Sequence, residues 1–290
     1  MRVALFVAGL AITVLPAESP GSPMSDRAGS FVLDATTTVD ASWQREVAAV
    51  DARLRTKYAM AIDDTAVGVL DLQRLRLALV RGDASFYAAS IPKIAILLAW
   101  FQLEPDAVGK LDAARRHELG LMIKHSDNEL ATKYSRQFGL KRIQEVVDSY
   151  GLYDLRHGGG IWLGKHYGQA SERLLDPVGN HSHAATVRQL LRFYLLLEQG
   201  RLVSPAASTA MREIFASPNL AHRDDKFVRG LAGRDRQILR KAGWWENWFH
   251  DSAIVRGPDR HYLVAALTHH AKGDEYLVEF AAAVDDLIGK

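Results

Sequence analysis

The sequence predicts an α/β (α+β) fold: an antiparallel sheet built from both ends of the folded chain, flanked by helices, with an all-helical lobe inserted between the two halves. Three observations predict it. Residues 66–72 (AVGVLDL) and 75–80 (LRLALV) are strand-like runs with only Gln73 and Arg74 between them, the spacing of a hairpin. Three further strand-like runs, 237–242, 251–256 and 261–268, fall near the end, the last two separated by the turn signal Gly257-Pro258-Asp259. Almost everything between carries helical periodicity, so the strands at the two ends share a sheet and the helices form a lobe of their own.

The elements follow in order. Asp40 or Ser42 caps a helix to about residue 57, with Trp43, Val47, Val50 and Leu54 on one face. After the hairpin, residues 90–101 form a helix that is apolar almost all round and therefore buried. Residues 111–124, 129–138 and 140–150 read as helices, and 157–168 as irregular and Gly-rich. An amphipathic helix spans 184–198, stopped by Gly200, and Ser204-Pro205 opens another. A helix over 274–288 follows the last strands.

The chain has 290 residues, enough for one large domain or two lobes. Hydrophobic residues make up 48% and charged residues 24%, which exclude a disordered, collagen-like or polytopic membrane chain. With 36 Lys and Arg against 34 Asp and Glu, the net charge of +2 leaves no nucleic-acid footprint. The absence of cysteine excludes disulfides, thiolate nucleophiles and Cys-ligated zinc.

Residues 1–17 read as an export signal: Arg2, an apolar run from Val3 to Leu15 and small Ala17. A start at Met24 is the alternative. The run is too short to span a bilayer comfortably, so the mature chain is expected in the periplasm or outside the cell, with no stable membrane insertion. Residues 18–40, rich in Ser, Pro, Gly and Thr, read as a flexible linker. The domain is then 41–290, with an α/β lobe over 41–89 and 220–290 and a helical lobe over 90–219.

Three short motifs carry the chemistry. In Ser90-Ile91-Pro92-Lys93, Pro92 belongs to a first helical turn, so Ser90 sits at the helix N-terminus and Lys93 lies one turn on along the same face. Burial lowers a lysine's pKa, and a neutral amine beside a hydroxyl is an activated-nucleophile pair. Free N–H groups at the helix start favour an oxyanion. Alone, the pattern more often marks a capping serine and a snorkelling lysine. Ser126-Asp127-Asn128 lies between two helices, where Ser126 is able to pass a proton and Asn128 to bind a carbonyl; all three are also good helix caps. Lys241-Ala242-Gly243 lies on a predicted strand, with Gly243 allowing a close backbone approach and Lys241 adding positive charge.

In this order the three motifs resemble the S-x-x-K, S-D-N and K-T-G elements of class A β-lactamases and penicillin-binding proteins. The likeness extends to VGVLDL, to SHAATVRQLLRFYLLLEQGRLVS and to AIVRGPDRHYLVAAL, and covers roughly residue 42 to the end. The resemblance implies a β-lactamase/transpeptidase-like fold and a serine hydrolase acting on a β-lactam or peptide-like amide; no cofactor or metal is expected, and a monomer is the default. Ser90 is then the acylated nucleophile and Lys93 its base or proton relay, with Ser126, the third catalytic residue, on the second wall beside Asn128. Asn128, Lys241, Gly243 and Trp244 bind substrate, and the oxyanion sits between the N–H groups of Ser90 and Trp244.

Three departures qualify the match. Ala242 replaces the usual hydroxyl residue that helps bind a substrate carboxylate. No E-x-x-L-N loop is present; the corresponding stretch 157–177 offers only Glu172 and Asp176 as carboxylates, so an acyl-enzyme is expected to persist. The interval from Lys93 to Ser126 is short, trimming the helical lobe. The alternatives are therefore a penicillin-binding-protein-like peptidase or esterase with slow deacylation, and a non-catalytic binder of cell-wall fragments. Trp244, Trp245, Trp248 and Phe249 line a cleft or pack a hairpin corner. His181, His183, His269 and His270 lack a third ligand at metal spacing, and His183 falls near the cleft by the same resemblance.

Overall fold

The computed structural model describes residues 26–168 and 173–290. The expected export signal and the start of the expected linker lie outside these residues, as does Glu172. Among the described residues no helix is long and apolar enough to cross a membrane.

Helix α1 (Asp26–Ser30) precedes α2 (Ala41–Tyr58), whose first N–H groups are accepted by the Asp40 carboxylate and whose end is set by left-handed Ala59. Strands β1 (Thr65–Asp71) and β2 (Arg76–Val80) form the expected hairpin, followed by short β3 (Phe86–Tyr87). The helical lobe holds α3 (Lys93–Leu103), α4 (Ala113–Gly120), α5 (Asn128–Phe138) and α6 (Leu140–Ser149). Short strands β4 (Tyr153–Asp154), β5 (Gly159–Gly160), β6 (Trp162–Leu163) and β7 (His183–Ala185) run through the Gly-rich stretch. Helices α7 (Val187–Glu198), α8 (Pro205–Ala216) and α9 (Lys226–Gly230) lead to β8 (Gln237–Trp245), β9 (Trp248–Gly257), β10 (Arg260–His269) and α10 (Gly273–Ile288).

The five-stranded sheet has the order β2-β1-β10-β9-β8 and is antiparallel throughout. Both chain ends contribute, as expected. The sheet is covered on both faces, so its strands alternate between two cores rather than between core and water. Leu70, Ile254, Leu263, Ala265 and Leu267 face the helical lobe with α3 and α7. Val67, Val69, Val255, Val264 and Ala266 face α2 and α10. Gly68 lets α7 close onto β1, since a Cβ there would lie 2.5 Å from a Val187 methyl. β8 is an edge strand, and its free side is the one that meets the helical lobe.

Four expectations change. The linker read over 18–40 is docked in its described part: Ala28 and Leu33 are buried, and Gln199 Nε2 donates to the Ala28 and Phe31 carbonyls at 2.9 and 2.7 Å. Arg188 and Arg192 donate to the carbonyls of Asp34 and Leu33. Polar composition hid this, because α7 holds the segment largely by its carbonyls. The helix expected from residue 90 begins at Lys93; residues 90–92 form i→i+3 bonds ahead of it, where Pro92 supplies no N–H. The helix expected over 111–124 ends as a π-type turn, Leu121–His125. Ala184 and Ala185 belong to β7, paired with β3 and β6, and the helix starts only after Thr186.

Candidate active site

The three motifs meet at the junction of the lobes. Ser90 is half-buried in the turn before α3, after left-handed Ala89. Lys93 opens α3 and is fully buried. Its Nζ lies 3.1 Å from Ser90 Oγ, 3.2 Å from Ser126 Oγ, 2.5 Å from the Ser126 carbonyl and 2.7 Å from Asn128 Oδ1. Ser126 takes a left-handed conformation between the π-type turn and α5, where Asp127 caps the helix through the Leu130 N–H. That kink turns both the Ser126 hydroxyl and the Asn128 amide toward Lys93.

From the sheet side, Lys241 on β8 donates to Ser126 Oγ at 2.8 Å and to the Ala242 carbonyl at 2.6 Å. Ser126 Oγ thus bridges two buried amines. Gly243 is required where β8 passes the Ser90 turn: a Cβ would sit 2.7 Å from the Ala88 carbonyl oxygen and 3.1 Å from the Ile91 side chain. Burial lowers the Lys93 amine to about 7, against a weaker opposing pull from Asp127. Burial also drives Lys241 well below its ordinary value, with repulsion from Lys93 and Arg240 adding to it. An amine half-deprotonated at neutral pH and in contact with a hydroxyl is able to accept its proton.

Two cavities flank this centre. One of about 650 Å³ is lined by Ser90, Asn128, Tyr167, His183 and Trp244, among others. The other, about 290 Å³, brings Lys124, Arg223, Lys226, Arg240 and Lys241 around a single carboxylate, Asp225. Arg240 is 3% exposed and held by Asp225 at 2.7 Å and Asp251 at 2.9 Å. These two carboxylates offset the guanidinium, yet the cavity lining still holds more basic side chains than acidic ones.

All the predicted residues, Ser90, Lys93, Ser126, Asn128, Lys241, Gly243 and Trp244, come together around these cavities. The aromatic run lines the larger cavity in two ways: Trp244 and Trp245 stand more than half exposed at the rim, and Trp248, also in its wall, stacks on His269 with ring centroids 3.7 Å apart. Asp176 is 2% exposed and tied by Tyr153 and the Gly179 N–H, so it is spent on holding its loop. His183 lies in the wall of the larger cavity. Among the described residues its Nε2 has no hydrogen-bond partner, and burial lowers the ring to about 3, so it is neutral. Arg240 and Tyr167 were not singled out by the sequence. Arg240 carried a signal, since it adjoins Lys241 on the strand. Tyr167 carried none.

The model of the beta-lactamase enzyme family matches residues 114–289, more than half of the chain. The chain belongs to the beta-lactamase enzyme family. The matched span contains the Ser126 and Lys241 motifs, and Ser90 and Lys93 precede it. Among solved structures, this family member is similar to a beta-lactamase from Sphaerobacter thermophilus, at 18% identity over 87% of this chain and 98% of that one, with a TM-score of 0.66. It is also similar to a class A beta-lactamase from Mycobacterium abscessus, at 17% identity over 84% and 100%, with a TM-score of 0.66. PBP-A is 17% identical over 83% and 96%, with a TM-score of 0.61. At these identities the likeness is one of fold. No curated protein matches the sequence.

Proposed function

We propose that this beta-lactamase family member is an exported serine hydrolase that forms an acyl-enzyme on Ser90 with a β-lactam or a related peptide-like amide. The observation that carries the reading is the 3.1 Å contact between Ser90 Oγ and a fully buried Lys93 amine. In the proposed reaction, neutral Lys93 takes the Ser90 proton as Oγ attacks the amide carbonyl. The N–H groups of Ser90 and Trp244 receive the developing oxyanion. Ser126 Oγ, between Lys93 and Lys241, delivers a proton to the leaving nitrogen, and Lys93 re-protonates Ser126. Asn128 and Trp244 border the cavity for the acyl side, and Lys241 with Arg240 attracts an anionic group on the leaving side. Ala242 provides no hydroxyl there, so charge carries that recognition.

A second reading, slow deacylation in the manner of a penicillin-binding protein, is favoured by one observation. Among the described residues no carboxylate hydrogen-bonds Ser90 or Lys93. Exposure of the wild-type protein and Ser90→Ala to a fluorescent penicillin tests the proposal. Stable labelling of the first alone supports it; equal labelling of both rules Ser90 out. A chromogenic cephalosporin separates the readings: sustained turnover favours hydrolysis, and a single equivalent of product favours the slow form.

A further inference from the structure

Tyr167 occupies the side of Lys93 that its hydrogen bonds leave open. The amine's polar contacts go to Ser90, Ser126 and Asn128, and the Tyr167 ring covers the remaining face, its centroid 4.2 Å from Nζ. The ring is fixed at both ends. Its hydroxyl donates to the Ala89 carbonyl at 3.1 Å, one residue before Ser90, and its own carbonyl accepts from Thr132 Oγ1 at 2.8 Å on α5. His183 backs it, with ring centroids 4.7 Å apart. Among the described residues, the charged or titratable groups around the amine, besides Tyr167 itself, include Asp127 at the head of α5, Lys241 on β8 and neutral His183 on β7.

From this packing we infer that Tyr167 is a positioning residue that keeps water off Lys93 and off the carbonyl face of an acyl group on Ser90, and so sets the lifetime of the acyl-enzyme. The inference rests on the proposed acylation of Ser90 and supplies a physical cause for the slow-deacylation reading of it. Hydrolysis of the ester needs a water beside both the ester carbon and a base. Among the described residues the base in contact with Ser90 is Lys93, and the Tyr167 ring, anchored to the Ala89 carbonyl, covers the face its hydrogen bonds leave open. The water would add to the ester carbon as Lys93 takes its proton. The tetrahedral adduct would then expel Ser90 Oγ, which regains that proton from Lys93, releasing a carboxylic acid. With Tyr167 in place the first of these steps lacks its water.

The test is intact-mass spectrometry of the penicillin adduct over time in wild type, Tyr167→Phe and Tyr167→Ala, together with the acylation rate from pH 5 to 9. Tyr167→Phe keeps the ring and should keep the wild-type lifetime to within about twofold. Tyr167→Ala opens the site and should shorten the lifetime by about tenfold or more. It should also move the acylation midpoint to higher pH, because a hydrated lysine holds its proton more tightly. If Tyr167→Ala does not fold by circular dichroism, Tyr167→Val decides by the same two readouts. An unchanged lifetime and midpoint in the opened variant overturns the role of Tyr167 and leaves acylation standing. Absence of any wild-type adduct overturns the acylation proposal and this inference with it.

Discussion

Two buried amines and three hydroxyl or amide groups at the lobe junction make each substitution there a distinct chemical experiment. Lys93→Met removes the base while keeping most of the side chain's length, and penicillin labelling should fall by about a thousandfold. Labelling within tenfold of wild type would show that another group takes the Ser90 proton. Lys241→Ala should slow labelling by a penicillin by about tenfold, and slow an uncharged ester much less, because the lost interaction is with an anion. Equal losses for both acyl donors would assign Lys241 to the Ser126 proton path alone. The Ser90, Ser126 and Lys241 motifs were legible because each is contiguous and carries its own local geometry. Tyr167 was not, since its role arises from a tertiary contact with a residue far away in sequence. Arg240 adjoins Lys241 and so carried a local signal, but its partners Asp225 and Asp251 come from a different loop and strand.

At the scale of elements, the site depends on how closely β8 approaches the turn ahead of α3. Gly243→Ala puts a methyl 2.7 Å from a backbone oxygen, so the strand or the turn must shift. About 1–3 kcal/mol of stability should be lost in urea denaturation, with a larger loss in acylation than in folding. A variant with wild-type stability and labelling would show that the strand edge does not set the position of Ser90. At the opposite side of the sheet, Asp40→Ala removes the acceptor for the Ser42 and Trp43 N–H groups. It should cost about 1 kcal/mol and leave labelling unchanged. The helices and strands were largely legible from periodicity and caps. The errors fell where long-range pairing decides. Ala184 and Ala185 follow helical pattern locally, yet β3 and β6 claim their backbone. Residues 121–124 read as plain helix, yet they loosen into the π-type turn Leu121–His125 that presents Ser126.

Across the whole molecule, burial of neutral histidines sets the response to acid. Burial lowers His183, His222 and His250 to about 3. His250 shows why: its Nε2 faces the Tyr87 carbonyl at 2.7 Å while its Nδ1 accepts the Thr268 N–H at 3.2 Å, an arrangement only the neutral ring satisfies. In the unfolded chain each titrates near about 6.5, so the unfolded state binds more protons below that pH. Stability from these groups is therefore present above about 6.5 and is lost as pH falls toward 3. The Tm at pH 5 should lie below that at pH 7.5, and His250→Gln should reduce the difference. An acid-insensitive Tm would mean that these rings are hydrated in solution. Both halves of the sheet and its inserted lobe were legible from the order of elements. The docking of residues 26–40 on α7 was not, because hydrogen bonds from Gln199, Arg188 and Arg192 to backbone carbonyls leave no pattern in the docked segment's own side chains.

The acylation rate constant of the wild-type protein with a penicillin, followed from pH 5 to 9, tests the Ser90–Lys93 pair most directly. A neutral Lys93 acting as base predicts a rate that rises with pH through a single midpoint near 7 and then levels off, with the adduct on the peptide that contains Ser90. A rate independent of pH over that range, or an adduct on any other residue, would contradict it.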